Sequence, residues 1–248
     1  GERDMEQLGG LIHRMPETAL AFLIGSAAIS ALPPLNGFAS EWLLFQAILA
    51  GAALPQWLLQ FAVPVAGALL ALAAALAAAC FVKAFGISFL GRPRTLAAAR
   101  AAEVDGFMRG GMAVLAALCI AVGVIPGAVI LLIDPASAAS VGARLGDMAG
   151  VNLLWLAPRG GGQGSYSGLA MLIAIVALTA LTVIMVRRHA SKRVRRAQAW
   201  DCGFPDPRPE TQYTASSFAQ PVRRVYGTLV FQARESVDMP APGDTRAA

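Results

Sequence analysis

Residues 19–50 read ALAFLIGSAAISALPPLNGFASEWLLFQAILA. An apolar run long enough to enter a bilayer is cut at Pro33-Pro34-Leu35-Asn36-Gly37 and resumes behind a carboxylate, Glu41. Each proline removes a backbone donor and pushes the residue before it out of the helical region. In hydrocarbon such broken backbone groups are costly unless they are buried in protein or line a wet cavity. The stretch therefore predicts a discontinuous membrane helix with an ionisable group at its break, a pattern that marks ion sites in transporters.

The rest of the chain agrees with a membrane setting. Of its 248 residues 56% are hydrophobic and only 14% charged, where a soluble domain carries about a quarter charged residues. Mean hydropathy is +0.60. Cys80 and Cys119 sit inside apolar runs and Cys202 in a polar tail, so neither a disulfide framework nor a metal-ligand spacing is present. His13 and His189 lie at segment edges and read as interfacial residues rather than ligands. The net charge of +5 sits in basic residues that flank apolar spans, which argues against nucleic acid as a partner. No signal peptide is visible. The chain opens Gly-Glu-Arg-Asp, and the expectation is a piece of something longer.

Four segments follow from the apolar runs: 18–54, broken at the prolines; 57–90; 110–133, ended by Asp134-Pro135; and 169–186, ended by Arg187-Arg188. The second exceeds the roughly 20 residues a span needs, so it must tilt, kink at Pro64 or emerge. The expected fold class is all-α, a polytopic transmembrane helix bundle of residues 1–190 with one broken helix, followed by a short tail, 191–248. The glycines at 160–162 and 164 resemble a phosphate loop, but no Gly-Lys-Ser/Thr follows, and they read as a linker.

Arg and Lys counts orient these segments. Loops 1–17, 91–109 and 187–248 hold most of the basic residues, whereas 55–56 and 134–168 hold only Arg144 and Arg159. The first set is expected to be cytoplasmic, the C-terminus included, with the broken segment counted as one crossing. In the tail, Lys192–Arg196 is a juxtamembrane basic cluster suited to anionic lipid. Residues 205–209 read as extended loop. Phe218, Val222, Val225, Tyr226, Leu229 and Ala233 recur at helical spacing, an amphipathic helix near 216–233 lying on the membrane or a partner. Met239–Ala248 reads as a disordered end.

Glu41 is expected in the first turn of the resumed half-helix. There it has two readings: a carboxylate complementing the helix dipole, worth about 0.3–1 kcal/mol, or an intramembrane functional acid, with Asn36 and the freed carbonyls of Ala31 and Leu32 placed to hold water beside it. Lys83 is the one basic residue inside an apolar run. It lies nine residues from Arg92, about 13 Å along a helix. It either snorkels toward the interface or faces the protein interior as part of a proton relay. Ser26, Ser30 and Ser88 are small polar residues within spans, read chiefly as positions where helices approach closely.

The stretches Arg3-Asp4-Met5-Glu6-Gln7-Leu8-Gly9-Gly10-Leu11, Met15-Pro16 and Ile29–Trp42 resemble the large membrane subunit of hydrogenase-4 and formate hydrogenlyase complexes. That family is similar to the antiporter-like proton-pumping subunits of complex I and to multisubunit sodium/proton antiporters. Trp200-Asp201-Cys202-Gly203 and Gln212–Phe218 resemble the hydrogenase branch. The resemblance implies two inverted repeats, each with a broken helix, and a midplane row of buried charges that carries protons. It places Glu41 at the last charge before the exit and Lys83 at a position often basic. It implies that this chain corresponds to the C-terminal part of such a subunit, in a prokaryotic plasma membrane. It also implies partners: other membrane subunits, and soluble iron–sulfur and hydrogenase subunits that hold the redox cofactors. No cofactor or metal is expected in this chain, which would be a non-redox subunit of an oxidoreductase complex. Two other readings remain open: a component of a multisubunit cation/proton antiporter, and a non-conducting anchor for soluble redox subunits.

Overall fold

The computed structural model describes residues 2–142, 149–158, 164–191, 209, 212–230 and 232. The basic cluster Lys192–Arg196, the Trp200–Gly203 motif, residues 205–208, Ala233, the end Met239–Ala248, residues 160–162 of the Gly-rich stretch, Arg144 and Arg159 lie outside these. The fold is helical: α1 Pro16–Ile29, α2 Asn36–Ala50, α3 Trp57–Phe89, α4 Leu96–Ala99, α5 Gly106–Val124, α6 Pro126–Val141, α7 Gly168–His189 and α8 Ala215–Leu229. An antiparallel hairpin accompanies them, β1 Ala149–Val151 with β2 Leu156–Pro158, in the register Gly150↔Ala157. Helices α3, α5 and α7 are long and apolar enough to cross a membrane. The 33 residues of α3 span about 50 Å, well beyond the roughly 30 Å hydrocarbon layer, and Pro64 lies inside it. Large apolar side chains on all three helices point outward, among them Phe61, Leu69, Leu115 and Leu178, as lipid- or protein-facing surfaces in a bilayer require.

The chain divides into two compact units. One takes Gly1–Ala19, Val82–Val104 and the described part of Ala197–Ala248; the other takes Leu20–Phe81 and Asp105–Arg196.

In the first unit an N-terminal segment, a loop and the tail helix hold one another by hydrogen bonds to main chain. Asp4 caps a 3-10 turn, Met5–Gln7, through the Glu6 N–H. Gly10, at φ 63°, donates its N–H to the Leu90 carbonyl at 2.9 Å. A β-carbon on Gly10 would press on Pro93, so this crossing needs a residue free to take positive φ with no side chain. The Arg94 guanidinium donates to the Leu8 carbonyl at 2.8 Å and to the Tyr213 carbonyl at 2.9 Å. The Gln212 side chain clamps Arg92, accepting from its N–H at 2.6 Å and donating to its carbonyl at 3.2 Å. Glu6 accepts from the Ser216 N–H at the start of α8, at 2.7 Å, and Thr214 caps the same helix through the Ser217 N–H. The two stretches that carry the family resemblance at either end of the chain, 3–11 and 212–218, are thus joined directly. Leu11, Ala19, Phe89 and Ala98 form the apolar centre of this unit. On α8, Phe218 and Tyr226 are half-buried while Val222 and Val225 are exposed.

The second unit holds both helix discontinuities. The expected third span, 110–133, is two helices that meet at Ile125-Pro126. Ile125 sits at φ −124°, ψ 59°, outside the helical region, and Pro126 opens α6 at its first turn. The physical cause is the clash a proline makes with the residue before it, combined with its tolerance at a helix start. Asp134-Pro135, the expected terminator, lies inside α6.

Helix α1 starts without a side-chain cap of its own. Glu103 supplies one from a distant loop, accepting from the N–H groups of Glu17 and Thr18 and from the Thr18 hydroxyl. The Thr18 hydroxyl, with the backbone donors behind it, holds the Glu103 carboxyl below its ordinary value of 4.5. A carboxyl with a depressed folded value stabilises the fold above its unfolded value and loses that contribution as pH falls through the folded one. Acidification from about pH 6 to about pH 3 is therefore expected to loosen the first turn of α1. Glu103→Ala is expected to loosen it already at the higher pH and to remove the pH-dependent step. Hydrogen-exchange protection at Glu17 and Thr18 measures both, and equal protection in variant and parent contradicts the cap.

Candidate functional site

The break between α1 and α2 is a built structure. Helix α1 ends in a Schellman motif, with the Leu32 N–H on the Ala27 carbonyl at 3.0 Å and the Ala31 N–H on the Ala28 carbonyl at 3.1 Å. Ala31 holds the left-handed position at φ 52°, which glycine usually fills. The Leu35 N–H returns to the Leu32 carbonyl at 3.0 Å, so the Leu32 carbonyl, expected to be free for water, is occupied. The Pro33-Pro34 bond is cis. Helix α2 resumes at Asn36, with Leu35 as an N-cap that offers no side-chain bond.

Two glycines let backbone touch backbone around this break. A β-carbon on Gly37 would run into the Ala28 carbonyl, and one on Gly123 into the Pro34 carbonyl and Leu35. The second discontinuity, at α5–α6, is therefore seated on the first. Gly168, at the start of α7, in turn abuts the Gly123 carbonyl and Val124. Tyr166 closes the arrangement. It is buried, bridges to Leu156 of the hairpin, and its hydroxyl donates to the Gly123 carbonyl at 3.4 Å. Its ring lies 5.1 Å from that of Phe38 and 6.1 Å from that of Trp42. Ala39, Ile130, Leu156 and Tyr166 form the core of this region. Sequence reading missed this cluster. The available signals were Pro126 after Gly123, and a tyrosine preceding Ser167, which caps α7 through the Ala170 N–H.

Because α2 starts at Asn36, Glu41 falls in its second turn rather than the expected first, and no acidic residue occupies the first. The helix-dipole effect fades within the first turn, which weakens the capping reading of Glu41. Glu41 is half-buried, and among the described residues no group donates to its carboxylate. Gly37 lies one turn earlier on the same face. The space a Gly37 side chain would take is filled by the Ala28 carbonyl. Ser40 turns inward on its own helix, donating to the Gly37 carbonyl at 2.8 Å. Lys83 is half-buried on α3 and belongs to the first unit, whereas Glu41, Pro33, Pro34, Asn36 and Gly37 belong to the second. Among the described residues no three His, Cys, Asp or Glu lie together as a metal site.

Residues 1–87 match the NADH:quinone oxidoreductase/Mrp antiporter transmembrane family. The chain is 35% identical to hydrogenase-4 component B of Escherichia coli, over 95% of this chain and 35% of that protein. It is 31% identical to formate hydrogenlyase subunit 3 of the same organism, over 93% of this chain and 35% of that protein. A probable K(+)/H(+) antiporter component of Rhizobium meliloti is 34% identical over 51% of this chain and 12% of that protein. Among solved structures, a chain of the membrane-bound sulfane sulfur reductase, an archaeal respiratory membrane complex, superposes with a TM-score of 0.71. That likeness is one of fold, at 23% identity over 94% of this chain and 35% of the other. The chain spans about a third of the length of the curated relatives it matches.

The packing at the break predicts opposite effects of two small substitutions. Gly37→Ala must push the Ala28 carbonyl aside and is expected to cost about 1–3 kcal/mol. Ala31→Gly relieves a left-handed alanine and is expected to be neutral or to stabilise by up to about 1 kcal/mol. Gly25→Ala, where a β-carbon meets nothing within 4 Å, serves as the control. Thermal unfolding of the detergent-solubilised full-length protein measures all three, and a Gly37→Ala protein as stable as the control contradicts the contact.

Proposed function

We propose that this chain, homologous along nearly its whole length to hydrogenase-4 component B, forms part of a proton-translocating membrane subunit of a hydrogenase- or NADH-dehydrogenase-like complex. Glu41 is the group that takes up and releases the proton at the broken helix, and Lys83 is a second proton-translocating charge. The observation that carries this reading is a half-buried carboxylate in the second turn of a half-helix, beside a backbone break made at two prolines and packed backbone to backbone at two glycines. An acid placed there is expensive in a bilayer and is retained for function. The partners are other membrane subunits together with soluble iron–sulfur and hydrogenase subunits, and the redox chemistry is theirs. The chain lies in a prokaryotic plasma membrane with its C-terminus in the cytoplasm, as the distribution of arginine and lysine favours.

A stand-alone cation/proton antiporter is the second reading. The extent of the likeness favours the first, since the hydrogenase-4 relative covers 95% of the chain and the antiporter component 51%. The tail supports it too, because Gln212, Tyr213 and Ser216 are tied into the first unit rather than hanging free.

Glu41→Gln keeps the shape of the side chain and removes its titration. In the full-length protein within its assembled complex, this variant is expected to lower proton translocation by about tenfold or more while leaving assembly intact. Glu41→Asp should retain part of the flux. Proton uptake into proteoliposomes measures this, and undiminished uptake by the assembled Glu41→Gln complex refutes the role.

A further inference from the structure

The last two turns of α3, Val82–Phe89, belong to the first unit, and Lys83 is among them. Ile87, Ser88 and Phe89 are buried, and the ring of Phe85 stacks on that of Phe89 at 5.4 Å. The final carbonyls of a helix find no partner within it. Here the Ile87 carbonyl accepts from the Arg94 guanidinium at 3.4 Å, and the Leu90 carbonyl accepts from the Gly10 N–H. The same Arg94 nitrogen also holds the Leu8 carbonyl, and the other terminal nitrogen holds the Tyr213 carbonyl. Thr95, the next residue, donates to the Gln7 carbonyl at 3.0 Å. One side chain thus joins the end of α3 to the N-terminal segment and to the tail. A cation at a helix C-terminus also complements the helix dipole. Lys83 lies one turn before Ile87 on the same face of α3, and in an α-helix its carbonyl accepts the Ile87 N–H. The residue that Arg94 holds from outside the helix is therefore the one bonded to Lys83 within it.

We infer that Arg94 is a positioning residue for Lys83: it fixes the rotation and depth of the end of α3, and so where the Lys83 amine stands. The inference rests on the role proposed for Lys83. The hydrogen bonds of Arg94 run to main-chain carbonyls, so it acts on geometry and not on the proton. A guanidinium presents several donors in one rigid plane and reaches three segments at once, which a point-charge ammonium does not. Gln212 supports the same loop by clamping both main-chain groups of Arg92. The start of the tail is thereby part of what holds Lys83 in place.

The test uses the assembled full-length complex and reads Lys83 itself. An amine-reactive ester followed by mass spectrometry of the Lys83 peptide gives a labelling rate, with Lys192, the other lysine of this chain, as reference. Arg94→Gln is expected to raise the Lys83 rate relative to Lys192 about tenfold, as losing a charge-assisted hydrogen bond lets the helix end open. Arg94→Lys is expected to raise it less, and Arg100→Gln, at an exposed position in the same loop, to leave it unchanged. Proton uptake into proteoliposomes is expected to fall severalfold in Arg94→Gln and in Lys83→Met. A Lys83 rate unmoved by Arg94→Gln, or moved as far by Arg100→Gln, overturns this inference alone. Normal uptake by Lys83→Met overturns the role proposed for Lys83 and this inference with it. Where Arg94→Gln fails to assemble, Arg94→Lys and Gln212→Ala carry the same test, and a Lys83 rate unmoved in both overturns the inference.

Discussion

The second unit depends on backbone meeting backbone where side chains are absent. Gly37 rests on the Ala28 carbonyl, and Gly123 rests on Pro34 and Leu35. A broken helix exposes donors and acceptors that a membrane interior does not satisfy. Here the Schellman bonds of Ala31 and Leu32, and the return of the Leu35 N–H to Leu32, consume much of that excess. The α5–α6 discontinuity covers the turn, and Gly168 and Tyr166 lock the covering piece in place. Ser26 Oγ and Asn36 Oδ1 are among the buried polar atoms that find no hydrogen-bond partner among the described residues.

Much of this was legible in the sequence, and the reasons for the rest are specific. Two adjacent prolines in an apolar run force a break, so the discontinuity at residues 33–34 follows from local sterics alone. The start of α2 does not. Asn36 and Gly37 are poor helix formers, and tertiary contact with Ala28 pulls them into the helix, which moves Glu41 into the second turn. Ala31 carries no sign of its left-handed backbone because glycine, the usual marker, is missing. The break at Pro126 was hidden inside a continuous run of apolar residues, where hydropathy reports burial and not backbone direction. Tyr166 and the hairpin were invisible because their partners, Phe38, Trp42 and the Gly123 carbonyl, are distant in sequence. The charge pattern pointed to a membrane, and α3, α5 and α7 have the required length and composition.

The first unit answers a different constraint. An amphipathic tail helix with exposed Val222 and Val225 has little core to fold around. Its start is fixed by polar bonds to distant main chain, above all through Arg94, Gln212 and Glu6. A planar guanidinium that donates to several carbonyls at once is well suited to such a junction. These partners come from residues 5–8, 92–94 and 212–216, which explains why stretches at the two ends of the chain that carry the family resemblance are found together in space.

The central claim is that the Glu41 carboxyl changes protonation as the complex works. Infrared difference spectroscopy on the assembled full-length complex during turnover reads this directly. The account predicts a carboxyl C=O band that rises and falls with turnover, shifts on deuteration and is lost in Glu41→Gln. Turnover with sustained proton uptake and no band assignable to Glu41 would contradict it.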